Sequence, residues 1–317
     1  IDVSSGSVDG GKAGTLSIGA SKGTVNLDGN IAASGVEKAG SILLDVGAYN
    51  NFDALFATLN QSGFTDQIGI RLRNGDMNLG QVASNLYGSD ITLTADNGSI
   101  NLDQITIDAS GDFSPSGKGG EIAIWADKDL NVGSNSFLNT AATAADSDGG
   151  NILLSSQNGT VVIDNAANIN LSGATGGDLQ IRAERTDDDV KVALFDANNV
   201  VTGADAIRIE AFKQVDNSLV TDGKLSSADI NTIKASVEEF MSNCKKDASC
   251  QQWSNYGVTV MPGVDVVADG DLRLTADWNL KDWRYADVND ENTIPGQLTI
   301  RTSGSIYLDK DLSDGVE

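Results

Sequence analysis

The feature that most limits what this chain can fold into is a short phrase that recurs along it: a turn ending in glycine, a small polar residue, then apolar-polar-apolar. The copies are Gly23-Thr24-Val25-Asn26-Leu27, Gly75-Asp76-Met77-Asn78-Leu79, Gly98-Ser99-Ile100-Asn101-Leu102, Gly159-Thr160-Val161-Val162-Ile163, Gly270-Asp271-Leu272-Arg273-Leu274 and Gly304-Ser305-Ile306-Tyr307-Leu308. Asp129-Leu130-Asn131-Val132 repeats it without the glycine. Asn74, Asn97 and Asn158 each precede one of these glycines, and Asn-Gly readily supplies the positive φ of a tight turn. A second apolar-polar-apolar run lies about ten residues before each copy, as in Leu16-Ser17-Ile18, Ile70-Arg71-Leu72, Ile91-Thr92-Leu93, Ile122-Ala123-Ile124, Ile152-Leu153-Leu154 and Leu298-Thr299-Ile300. A third follows some copies, around Ile31-Ala32-Ala33, Ile105-Thr106-Ile107 and Ile169-Asn170-Leu171.

Period-two alternation gives each run one buried and one wet face. A sandwich shows that alternation too, but it does not need the same strand-turn-strand order again and again. Stacked coils do need it, because each buries its apolar side only against its neighbours, about 4.8 Å away. The expected fold is therefore all-β, a right-handed parallel β-helix (β-solenoid) of roughly nine coils with short helical excursions. Its handedness follows the preference of parallel crossovers. Residues 1–185 read as coils, with a short helical insert near 50–66 where Phe52, Leu55, Phe56 and Leu59 fall at helical spacing. Residues 186–257 read as an excursion outside the solenoid. There Ile230, Ile233, Val237, Phe240 and Met241 form a helical stripe with Ser226 or Ser227 as N-cap. Residues 258–317 read as further coils, and a chain that opens within a repeat is expected to be an excerpt.

Composition agrees: 35 Gly, 3 Pro and 5% aromatic residues suit many small turns around a thin core. The formal net charge of −24 argues against nucleic acid as a partner, since phosphate repulsion adds to self-repulsion. No apolar run approaches the ~20 residues that span a membrane, so this segment is not expected to insert in one. Cys244 and Cys250 enclose a five-residue loop too wide for a redox pair, and a local disulfide in an oxidising compartment is the simplest reading. With no His, the usual zinc ligand and the commonest general base are missing.

Other constellations carry less. Thr221-Asp222-Gly223 through Asp229 resembles the second half of a calcium loop, with Asp216 nearby, but Ser218 and Val220 fall where earlier ligands belong. A capped helix is the competing reading, and no cofactor is expected. Asp187-Asp188-Asp189 reads as a solvated loop. Carboxylates such as Asp277 and Asp282 would serve glycoside hydrolysis only at a defined separation, which nothing in the spacing singles out. Trp278, Trp283 and Tyr285 gather aromatic surface, either as a contact surface for sugars or as packing.

The repeats resemble the coils of filamentous-haemagglutinin-type exoproteins (adhesins) of bacterial two-partner secretion systems. A stretch resembling a module of large members of that family begins at Met261-Pro262-Gly263-Val264-Asp265-Val266. It continues through Gly270-Asp271-Leu272, Ala276-Asp277-Trp278-Asn279-Leu280 and Trp283-Arg284. Pro295-Gly296-Gln297-Leu298-Thr299-Ile300-Arg301 and Leu312-Ser313-Asp314-Gly315 complete it. The resemblance implies an extracellular protein on the surface of a Gram-negative bacterium, exported through an outer-membrane partner pore. It implies attachment to a cell-surface receptor or polysaccharide, or to copies of itself in a filament, and it brings no catalytic residues. The family's secretion-recognition cap is not evident in this segment, and there is no Arg-Gly-Asp tripeptide. The alternatives are a polysaccharide-active β-helix enzyme and a passive extracellular sheath or matrix protein.

Overall fold

A computed structural model describes residues 1–5, 11–27, 29–80, 85–216, 219–289 and 292–314. Ser218 of the calcium-loop pattern and Gly315 of the C-terminal motif lie outside the described residues. The chain is mostly β and forms two compact units, residues 1–182 with 192–207, and residues 183–191 with 208–317.

In the first unit three parallel sheets are built by one repeating order of strands. The first sheet runs Thr15–Ala20, Gly40–Val46, Phe64–Leu72, Asp90–Ala95, Glu121–Ala126, Asn151–Ser156 and Gly177–Glu184, each strand beside the next. The second runs Met77–Gly80, Ile100–Asp103, Leu130–Val132 and Val161–Ile163. The third runs Leu86–Tyr87, Thr106–Asp108, Phe137–Asn139, Asn168–Asn170 and Val201–Thr202. Every pairing joins equivalent strands of successive repeats, so like residues stack. Met77, Ile100, Leu130 and Val161 form one buried ladder, and Leu79, Leu102, Val132 and Ile163 form another. Ile68, Ile91, Ile122, Ile152 and Leu179 line up in the first sheet in the same way.

Between the two ladders of the second sheet, the outward asparagines form a polar one. Asn101 Nδ2 donates to Asn78 Oδ1 at 2.7 Å, and Asn131 Nδ2 donates to Asn101 Oδ1 at 2.7 Å. The Gly-Gly pairs ahead of first-sheet strands are explained by close approach: a Cβ on Gly150 would lie 1.8 Å from the Gly120 carbonyl oxygen. The helix Phe52–Ser62 stands where a repeat would place second- and third-sheet strands. Asn51 caps its start, Gly63 in the left-handed region ends it, and Phe52, Leu55, Phe56 and Leu59 are buried.

Two expectations change here. Val25 and Leu27 are only half-buried and lie outside any strand, whereas Ile100, Leu102, Val161 and Ile163 are buried. With no strand paired to either side, the first copy lacks the neighbours that bury the others. The excursion also does not begin at residue 186. Val192 bridges to Val161, Val201–Thr202 pairs with Asn168–Asn170, and Ala204–Val215 is a 12-residue strand. The bridge and the two-residue strand are too short to show as alternation, whereas the longer strand carries it at Ile207-Arg208-Ile209.

In the second unit Val258–Ala268 lies beside Ala204–Val215 on one side and pairs parallel with Gln297–Thr302 on the other. Lys224–Leu225, Leu272–Leu274 and Ile306–Leu308 form a short parallel sheet. Arg284–Ala286 pairs antiparallel with Thr293–Pro295, a small hairpin that breaks the parallel rule. The helix Ser227–Cys244 begins with a capping box between Ser226 and Asp229 and buries Ile230, Ile233, Val237, Phe240 and Met241. Cys244 and Cys250 are bonded, with Cα atoms 5.4 Å apart, and join this helix to Ala248–Asn255.

Candidate functional site

A cleft of about 610 Å³ opens in the first unit where turns lead into first-sheet strands. Lys12, the turn Gly35–Ala39, the strand start at Thr65-Asp66 and the segment Asp112–Pro115 line it. Repetition makes it, because each turn enters its strand at the same edge and the turn residues gather there. Asp66 Oδ1 pairs with Lys38 Nζ at 2.9 Å, and the Ser41 hydroxyl donates to Asp66 Oδ2 at 2.6 Å. Phe113 packs on Tyr87 with ring centroids 5.8 Å apart, and the Ser89 hydroxyl donates to the Phe113 carbonyl. Close by, burial followed by the negative charge of Asp66 holds the Asp90 carboxyl above the usual range, partly offset by Lys38. Asp66 already has an ammonium and a hydroxyl as partners.

A second charged cluster sits at the ends of the Gly40–Val46, Phe64–Leu72 and Asp90–Ala95 strands. Arg73 makes two hydrogen bonds to Asp45, at 2.7 and 2.6 Å, and a third to Asp96 at 3.0 Å. Arg71 Nε contacts both Asp96 oxygens, at 3.0 and 2.9 Å. The Arg73 hydrogen bond holds the Asp45 carboxyl below the usual range.

The residues singled out from sequence fall elsewhere. Asp229 spends its carboxylate on the helix cap, accepting from Ser226 N at 2.8 Å and Ser226 Oγ at 2.7 Å. Asp222 is exposed at φ 53, and Asp216 closes a turn through its carbonyl, which accepts from Leu219 N and Val220 N. Among the described residues no group of three or more Asp, Glu, His or Cys side chains is placed to hold a metal ion. Asp187 pairs with Lys213 at 2.8 Å, whose hydrogen bond and charge hold its carboxyl below the usual range, and Asp188 accepts from Asn243 at 2.8 Å. The tripeptide thus docks onto its own unit. Asp277 accepts from Asp311 N at 3.2 Å, while Asp282 lies 3.7 Å from Lys234.

Of the two readings of the aromatic trio, contact surface or packing, burial agrees with packing. Trp278 and Trp283 are each 1% exposed and meet edge to face at 5.6 Å, and Tyr285 is buried beside them in sequence. In a chain so poor in bulky residues, large rings stabilise most when they fill a small core. Burial, followed by Glu238, pushes the Tyr285 hydroxyl up to about 12. Burial likewise pulls Arg185 down to about 10, its guanidinium 4.7 Å from the Phe240 ring centroid.

Sequence reasoning missed the cleft because Lys38, Asp66 and Asp112 sit far apart in the chain, Asp66 at the start of a strand and the other two outside strands, with nothing in spacing to join them. No family model matches the chain, and neither a curated protein nor a solved structure is significantly similar to it. Among the described residues no helix is long and apolar enough to cross a membrane.

Proposed function

We propose that the first unit is a right-handed parallel β-helix and that the chain is a structural and adhesive segment of a large secreted bacterial surface protein of filamentous-haemagglutinin type. The observation that carries this reading is the common order of three parallel sheets, in which each strand pairs with its equivalent one repeat away. Such a chain turns most of its sequence into scaffold and leaves turns and outer strand faces for contact. The Cys244–Cys250 bond supports an oxidising location, consistent with export through an outer-membrane partner pore to the surface of a Gram-negative cell. The net charge of −24 supports a partner other than nucleic acid. The test is attachment: beads coated with the purified segment are expected to bind sister cells or host cells well above beads coated with an unrelated acidic protein. Equal binding sinks the adhesive reading and leaves a passive sheath.

The raised Asp90 carboxyl beside Asp66 favours a second reading, a polysaccharide-cleaving enzyme working at the cleft. Release of reducing ends from a panel of polysaccharides, abolished by Asp66→Asn, would replace the first reading with this one.

A further inference from the structure

We infer that the outer face of the first sheet carries a groove that binds a neutral, unbranched oligosaccharide. The inference deepens the adhesive reading and rests on it. Along this face one outward ladder runs Gly19, Asp45, Arg71, Thr94 and Trp125, set by the parallel register. Beside it runs a second, in which Leu43 precedes Gly69 and Thr92. A shallow groove of about 390 Å³ follows the two ladders from Ser17 to Thr94. Glycine opens it: a Cβ on Gly19 would meet nothing within 4 Å. At Gly69 the Leu43 side chain leans into the vacated space, where a Cβ would lie 2.8 Å from Leu43 Cδ2. Leu43 remains 37% exposed and gives the groove an apolar patch.

Trp125 stands one rung beyond Thr94 in the same ladder. Of the four tryptophans, Trp253, Trp278 and Trp283 are each 1% exposed, whereas Trp125 is 38% exposed. A large ring left open on a strand face is an unusual feature in a chain with so little aromatic residue, and it offers a platform for stacking. Sugars present apolar C–H faces and hydroxyl edges by turns, which matches Leu43 and Trp125 set among Thr92, Thr94 and Asp45. Rungs repeat at about 4.8 Å, so a polymer lying across the strands meets an equivalent backbone position at each step.

Charge chooses the class of glycan. The arginines nearest the groove are engaged, Arg71 with Asp96 and Arg73 with Asp45 and Asp96, so they do not offer uncompensated positive charge. With a net charge of −24 on the chain, a polyanion would be repelled, and an uncharged polymer fits.

The test titrates the full chain with cellohexaose, maltohexaose and a heparin hexasaccharide, reading tryptophan emission and saturation-transfer NMR. A neutral hexasaccharide is expected to saturate the signal, with Trp125→Ala and Gly19→Gln each weakening it about tenfold or more while melting and circular dichroism stay unchanged. Gly19→Gln is chosen because a Cβ at this position meets nothing within 4 Å, so the added side chain starts in open groove. The inference is overturned if neither neutral hexasaccharide perturbs the spectra, if Gly19→Gln binds as the parent does, or if the heparin fragment binds better. Cell attachment that survives the loss of glycan binding removes this groove alone, whereas glycan binding without any attachment removes the adhesive reading and leaves the groove.

Discussion

The strand stack of the first unit and the helical segment of the second solve the same problem with different means. In the stack no repeat carries its own core, and Leu102 is buried because Leu79 and Val132 flank it in register. Stability there is a sum of neighbour contacts, and specificity comes from matching residue to residue. The segment from Ser226 to Asn255 relies on local devices instead: a capping box at Ser226, Asp247 accepting from Ser249 N and Cys250 N, and a covalent bond across six residues. A stack thus spreads its stability along the chain, while the helical pair concentrates it at a few named atoms.

The largest test of that contrast is Leu102→Ala, expected to cost about 2 to 5 kcal/mol if the site does not collapse. Hydrogen exchange should show the loss confined to the strands flanking Ile100–Asp103. Protection lost evenly across every strand of the first unit would mean that the stack melts as one block. Next is the double variant Cys244→Ser with Cys250→Ser. Its small loop puts the expected loss near the low end of the few kcal/mol typical of disulfides, about 2 kcal/mol. Proteolysis should then cut within residues 227–255, and first-unit fragments should survive. Smaller again is Ser226→Ala, which removes the cap and should cost about 1 kcal/mol by denaturant titration.

The smallest expected effect is electrostatic. A carboxyl raised in the folded state penalises folding above its folded value, and the penalty is relieved as pH falls toward its ordinary range. Asp90→Asn should therefore melt higher than the parent at neutral pH, with the gap closing in acid. Asp45 and Asp187 have the opposite sign, because their arginine and lysine partners lower them. Their stabilisation is present above the ordinary carboxylate range and is lost as pH falls through their lowered values. A gap for Asp90→Asn that persists unchanged into acid would remove the assigned cause.

Much of the stack was legible because its period is written in apolar residues. Ile91, Ile100 and Ile107 announce three strands of one repeat, each in a different sheet. The capped helix after Ser226 was legible for a similar reason, since its stripe is long enough to show a period. What stayed hidden depended on single atoms or short pairings. Val201–Thr202 is a two-residue strand, and nothing in two residues distinguishes a strand from a turn. Asp76 and Asp129 accept the backbone N–H of Ser99 and Thr160 in the next repeat, which gives the acidic residue in those two copies a role, yet spacing alone cannot show the bond. The aromatic trio stayed open between two readings because a cluster of rings looks the same in sequence whether it faces water or fills a small core.

The asparagine ladder bears on how the first unit answers a pulling force. Asn101 and Asn131 each donate to the amide of the preceding repeat, so the ladder bonds run in the stacking direction, as do the backbone bonds between strands. A load along that direction meets these bonds end-on, and rupture would proceed rung by rung from the loaded edge. Each step releases one repeat of slack chain, so such a segment would act as a shock absorber that yields in small increments and re-zips on the surviving rungs when the tension drops.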